Sequence, residues 1–269
     1  MTNPSVKTFL ILSACSLLCG CFGSKVQLSE HDRKILDLNE RALDSAAKGY
    51  DTDAQKLLQE ALQRSLAQDD RSGASVTLLN QSRLARHGSN LQLAAQLVEQ
   101  ALASATGTVQ YADAAQEKAL QELAGNRLAE AGRWADIARK SEQGNLLGRR
   151  LNLLARIALL KKDNSAANNF AEQALAANKA DGLELERANS LRLLGTIRSQ
   201  ERQFDKAEAL LQEALNLDKQ QEDPAKIAAD LEALAELAGL KGDTSLQQDY
   251  LQRAKIVREN SRRLRKQEQ

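Results

Sequence analysis

One arrangement of small and aliphatic residues returns along this chain at an interval of 40 positions. Ala54, Leu58, Ala61 and Leu62 are followed by Ala94, Val98, Ala101 and Leu102. The register returns at Ala167, Ala171, Ala174 and Leu175 and at Ala207, Leu211, Ala214 and Leu215, then weakly at Leu246, Tyr250, Ala254 and Lys255. A period of about 20–50 residues marks a stacked-repeat architecture, in which each unit buries its apolar face only against its neighbours. Such architectures bind far more often than they catalyse. A long helical bundle would share the composition, but the match holds at several positions in each of four copies, which favours repeats.

The residues between these positions are strong helix formers, and the chain has only two prolines, Pro4 and Pro224. Breaks are predicted at Lys48-Gly49-Tyr50-Asp51, His87-Gly88-Ser89-Asn90, Ala131-Gly132-Arg133, Lys162-Asp163-Asn164-Ser165 and Lys241-Gly242-Asp243-Thr244. Gly, Asn and Ser at these places supply a left-handed C-cap and the next N-cap. Each break separates helices of about 12–15 residues, so the unit is a helical hairpin. Six hairpins are expected, over 32–70, 72–107, 111–143, 146–180, 183–220 and 224–258. The third has a shortened second helix and the only tryptophan, Trp134, at the aromatic position expected also for Tyr50 and Phe204.

The best copy runs Leu191-Arg192-Leu193-Leu194-Gly195, then Phe204-Asp205-Lys206-Ala207, then Leu211, Ala214 and Leu215. It resembles the tetratricopeptide repeat (TPR) family, with its small residue on the first helix, an aromatic leading into the second, and two small residues within it. Leu151, Leu154, Ala155, Ala167 and Ala174 match in the preceding copy, and Leu38, Ala42, Tyr50, Ala54 and Ala61 in the first. The resemblance implies an all-α fold, a right-handed α-solenoid of about six TPR-like hairpins. The interval of 40 rather than the family's 34 is similar to kinesin-light-chain repeats, which bind extended peptides. It predicts longer turns between repeats, at Ala67 to Gly73 and Gln220 to Pro224.

In that architecture the first helices line a concave groove. The resemblance places Asn39, Asn80, Arg83, Asn126, Arg149, Asn152, Arg156 and Arg192 on its face. An amide side chain both donates to and accepts from a peptide unit, so a ladder of asparagines would read backbone. Arginines would add carboxylate recognition through their planar fork. Exposed polar residues on a solvated helix give the same pattern.

The start of the chain has a different logic. Lys7, the apolar run Phe9 to Leu18, and Gly20 before Cys21 read as a signal peptide, too short to span a bilayer. Leu18-Cys19-Gly20-Cys21 resembles the bacterial lipobox, which implies diacylglyceryl transfer to the Cys21 sulfur, cleavage after Gly20 and N-acylation. Phe22 follows where inner-membrane retention commonly uses Asp, so the expected location is the outer membrane of a Gram-negative cell, facing the periplasm. Residues 1–20 would be removed, 21–31 form a lipidated tether, 32–258 the solenoid and 259–269 a basic tail.

Charge excludes a further class. Of 37 basic side chains Lys7 leaves with the signal peptide, so the mature chain is balanced against 36 acidic ones and offers no electrostatic footprint for nucleic acid. Catalytic signatures are missing as well. The mature chain holds two histidines, His31 and His87, in different repeats, and no HExxH, GxSxG, Walker or CxxC motif. No cofactor or metal is implied, and the chain is expected not to be an enzyme. It reads as a membrane-anchored scaffold binding a protein or peptide. The alternatives are an outer-membrane assembly factor for secretin, pilus, barrel or cell-wall machinery and, remotely, a cell-wall hydrolase.

Overall fold

The computed structural model describes residues 28–267, with side chains to Leu264. Among these residues there are twelve α-helices and no strand. They fall into two compact units, divided between Asn145 and Leu146. In the first, α1 (Glu30–Ala47) pairs with α2 (Asp51–Ala67), α3 (Arg71–His87) with α4 (Leu91–Ala105), and α5 (Tyr111–Ala124) with α6 (Leu128–Lys140). In the second, α7 (Leu147–Leu160) pairs with α8 (Asn164–Ala180), α9 (Glu184–Gln200) with α10 (Phe204–Gln220), and α11 (Pro224–Lys241) with α12 (Thr244–Gln267). Within each unit a second helix also packs on the next first helix, and consecutive first helices touch.

The 40-residue interval is two nearly equal halves. Turns within and between hairpins are built alike, commonly from three residues whose middle member has positive φ: Gly49, Asp69, Ser89, Asn126, Lys162, Gly182, Arg202 and Glu222. The residue after it donates its N–H to the carbonyl five positions back, as in Tyr50 to Ser45 (2.9 Å), Asp70 to Ser65 (2.9 Å) and Gln203 to Arg198 (2.9 Å). This is the Schellman closure of a helix C-terminus. The same residue then begins the next helix. Asp70, Asn90, Asp163 and Asp223 accept bonds from backbone N–H groups of the first turn through their own side chains.

Three expectations are corrected here. The turns at 68–70 and 221–223 are no longer than the others; the long period comes from helices of 17 residues, such as α2 and α10, rather than 12–15. Helix formers simply continue until the Schellman closure is reached. The break expected at Ala131-Gly132-Arg133 lies inside α6, and the chain turns instead at Gly125-Asn126-Arg127. Ala131, Ala135 and Ala138 carry the buried face straight through Gly132, so packing overrides the local breaker. The second helix of the third hairpin is short, as expected, at 13 residues. Trp134 does not share a position with the other aromatics: it lies in mid-helix against Leu78, Val98, Leu102 and Ala138, whereas Tyr50 is a half-exposed turn residue and Phe204 opens α10.

The core is made of alanines on one helix facing alanines on its mate. Ala42 with Ala54, and Ala155 with Ala167, are fully buried. Side chains this small let helix axes approach the short end of the roughly 8–10 Å range. At Gly195 the approach is close: a Cβ there would lie 2.7 Å from Leu211 Cγ and 3.3 Å from the Ala207 carbonyl oxygen. Leu, Ile and Val residues then fill the space between hairpins, as with Leu211, Leu215, Leu231, Leu234 and Leu237. No described helix is long and apolar enough to cross a membrane.

The same substitution at two glycines tests this packing. Gly195→Ala should destabilise the fold by about 1–3 kcal/mol through overpacking. Gly88→Ala, where a Cβ meets nothing nearer than 3.7 Å, should instead stabilise by about 0.4–1 kcal/mol. Urea unfolding midpoints measure both, and equal shifts would remove the close-approach explanation of Gly195.

Candidate partner-binding face

The asparagines singled out by sequence belong to a device repeated at the junctions between hairpins. A first-helix side chain meets a residue 38 positions on, in the next first helix, beside a buried second-helix residue 26 positions on. The first copy is Asn39, Ser65 and Thr77, the second Asn152, Asn178 and Ser190, and the third Arg192, Asp218 and Asp230. Asn39 Nδ2 donates to Thr77 Oγ1 (3.0 Å) and to the Ile35 carbonyl (2.9 Å), while its Oδ1 accepts from Asn80 Nδ2 (2.8 Å). Ser190 Oγ donates to Asn152 Oδ1 (2.8 Å) and accepts from Asn178 Nδ2 (3.0 Å). Between α3 and α5 the corresponding positions 79 and 105 are apolar, with Leu79 and Ala105 buried.

The third copy replaces amide and hydroxyl with charge. Arg192 Nε donates to Asp230 Oδ1 (2.5 Å) and its Nη2 to Asp218 Oδ2, and neither aspartate has any exposed surface. Burial pushes the Asp218 carboxyl up to about 7, with Asp230 adding to the rise and Arg192 opposing it. Burial also raises Asp230, against the pull of the Arg192 guanidinium. The outer oxygens, Asp218 Oδ1 and Asp230 Oδ2, have no hydrogen-bond partner, and a proton shared between the two carboxyls would satisfy both. Lys226 donates to Asn189 Oδ1 (2.7 Å); burial, with the Arg192 charge second, lowers its pKa.

The structure thus sorts the eight sequence candidates. Asn39, Asn80 and Asn152 are buried, and their amides hold helices together rather than facing outward as a ladder. A buried amide cannot be left unpaired cheaply, and the adjacent hairpin is the nearest partner. Asn126 is not on a first-helix face: it is the exposed positive-φ residue of the α5–α6 turn, because the break falls there and not at Gly132. Arg192 is engaged between the two aspartates, and Arg149 pairs with Glu186 (3.7 Å). Arg83 donates to Asn80 Oδ1 (3.0 Å) and pairs with Glu117 (3.4 Å). Arg156 is exposed on α7. Cys21 lies outside the described residues.

The first unit has a concave pocket of about 190 Å³ between α1, α2 and α3. Its walls are apolar, from Ala42, Leu43 and Ala46 to Leu58 and Leu84, and Arg83 and His87 also border it. Among the described residues His31, Asp32 and Asp70 have ligand atoms within 4.8 Å of one another, a spacing compatible with a metal ion. Both carboxylates are already occupied in capping: Asp32 accepts from Ser29 N (3.2 Å) and Asp70 from Gly73 N (2.8 Å). Two helix N-termini there also oppose a cation. No metal site is assigned.

Sequence reasoning missed Glu117, which takes Arg83 and Arg86 together, and the buried pair Asp218 and Asp230. The signal was available for the pair: Asn178 and Ser190 lie 40 positions before it and hydrogen bond to each other.

The charged junction has two measurable consequences. Arg192→Ala should cost about 3–5 kcal/mol, because it leaves two buried carboxyls without their cation. Burial raises Asp218 above its ordinary 3.8, so the folded chain holds a proton that the unfolded chain releases. The associated stability is complete below about pH 4 and is lost as pH rises through about 7. Asp218→Asn, which restores the amide found at Asn178, should flatten this dependence. Thermal midpoints of both proteins across pH 4 to 9 check it, and parallel profiles would exclude the shared proton.

No protein-family model matches the chain, and no curated protein matches it in sequence. Solved structures share its fold. BtubC (BKLC) from P. vanneervenii aligns over 87% of this chain and 93% of its own at 17% identity and TM-score 0.59. A Rap protein complexed with competence and sporulation factor aligns over 85% of this chain and 66% of its own, at 16% identity and TM-score 0.65. PilW, a type IV pilus biogenesis factor, aligns over 80% of this chain and 90% of its own, at 13% identity and TM-score 0.61. With the helix pairing described above, these likenesses identify the fold as the all-α solenoid of tetratricopeptide repeat proteins.

Proposed function

We propose that this chain is a lipid-anchored scaffold on the periplasmic side of the outer membrane, binding an extended segment of a partner protein along its first helices. The observation that carries the reading is what the hairpin junctions leave over. With Asn39, Asn80, Asn152 and Arg192 engaged between helices, the first helices still present the Leu43–Arg83 pocket in one unit and exposed Arg156 and Leu160 in the other. Apolar surface beside guanidinium groups suits a peptide with an apolar anchor and carboxylates. The Rap protein of similar fold is complexed with competence and sporulation factor, which supports a binding role for such a fold.

The anchor rests on Leu18-Cys19-Gly20-Cys21. From Cys21 to the start of α1 the chain spans about 3.3–3.6 Å per residue at most, so the first hairpin would stay within tens of ångströms of the leaflet. Two or more acyl chains give stable attachment, at about 0.8 kcal/mol per buried methylene. The second reading, an assembly factor gripping a folded partner, draws on the likeness to the pilus biogenesis factor PilW.

Photo-crosslinking in intact cells separates the two. A crosslinker at Leu43 or Arg156 should capture one partner through a short contiguous segment, while one at exposed Gln173 on α8 should capture none. Capture from Gln173 alone would put a folded partner on the second helices. Cys21→Ser should move the chain from the membrane pellet to the soluble fraction; retention in the pellet would remove the anchor. Alanine at Asn80 or Asn152 is unsuitable here, since it would loosen the fold itself.

A further inference from the structure

The pocket of the first unit has a size and a charge that narrow its occupant. At about 190 Å³ it falls below the roughly 300–1,000 Å³ of small-molecule sites and suits a single large side chain. It exists because α1 presents alanines, Ala42 and Ala46, where a larger residue would close it against Leu58 and Leu84. One side is cationic. Of the lining residues Arg83 and His87 are basic and none is acidic, and Arg86 immediately precedes His87 on α3. Arg83 (3.4 Å) and Arg86 (2.5 Å) share one carboxylate, Glu117, which is almost fully buried. Two guanidinium groups thus converge on one carboxylate at the edge of an apolar cavity that Arg83 lines, and the Arg86 side chain is 40% exposed.

We infer that this pocket takes one large apolar side chain of a partner segment, with a carboxylate of the same segment seated on Arg83 and Arg86. The inference rests on the segment-binding reading above and fixes the chemistry of the segment. An Arg fork holds a carboxylate in two parallel bonds, and the five N–H donors of Arg86 are not exhausted by Glu117. The chain's own termini do not fit. Residues 258–269 are basic, with Arg258, Arg262, Arg263, Arg265 and Lys266 against Glu259 and Glu268. The stretch 21–27 carries Lys25 and no carboxylate. The occupant that this chemistry fits is an acidic protein segment with an apolar anchor.

The test is selection of a phage-displayed random dodecapeptide library on the full chain, in parallel with Ala46→Trp, which fills the pocket, and Arg86→Glu, which reverses its charge. Both sites are at least partly exposed, and circular dichroism confirms that the helices persist. Wild type should enrich peptides with a Leu, Ile, Phe or Met within two residues of Asp, Glu or the carboxyl terminus. Either variant should weaken the enriched peptide by about tenfold to a hundredfold. If enriched peptides lack that pairing, or bind Ala46→Trp as well as wild type, the pocket assignment falls. Should they then lose binding to Arg156→Glu, segment binding survives on the second unit. Enrichment of no peptide at all would overturn both.

Discussion

A pair of antiparallel helices has little interior of its own, and within each unit the described fold follows from how one hairpin closes against the next. Within a hairpin alanines of one helix meet alanines of its mate, and leucines face the neighbouring hairpin. Burial on both sides is what makes helices of 17 residues stable when isolated ones would be marginal. The turns serve the same end. A three-residue Schellman closure, repeated at eight turns within and between hairpins, spaces the helices it joins equally, so the sequence register and the packing register coincide there. Non-glycine residues at positive φ, such as Lys162, Arg202 and Glu222, are tolerated because both flanking helices over-determine the turn.

The junctions also bury polar groups between first helices in a repeated arrangement. Three copies of one device carry three chemistries. Hydroxyl and amide in the first, two amides and a hydroxyl in the second, and a guanidinium with two carboxyls in the third occupy equivalent places. The neutral copies leave Ser65 Oγ and Asn178 Oδ1 without a hydrogen-bond partner, at far less cost than an unpaired charge. The charged version needs its cation and its proton together, because a buried carboxylate with neither is far more expensive than an unpaired amide. Fold and ionisation state are therefore linked at hairpins five and six and not at the earlier copies.

Engagement at the junctions decides what remains for recognition. An asparagine on a first helix looks available when a helix is viewed alone. Asn39 and Asn152 turn inward because the next hairpin offers Thr77 and Ser190 at the right depth. Arg83 bonds Asn80 and shares Glu117 with Arg86, and it borders a concavity where small residues on α1 leave room. The surface that can accept a partner is thus the remainder after internal contacts are satisfied.

The interval of 40, the hairpin, the six copies and the alanine contacts were legible in the sequence because helix packing imposes a local spacing that a linear reading can see. Even the charged triad was there, as Asn152, Asn178 and Ser190 moved on by 40. The direction each polar side chain faces was not legible. Whether Asn80 points to solvent or to Asn39 depends on a residue 41 positions away, and whether Gly132 ends a helix depends on the neighbours of Ala131 and Ala135. Local propensity fixes which residues are helical and which stripe is apolar. Only the apposition of helices distant in sequence decides which polar groups are satisfied within the fold, and so which are left free to bind.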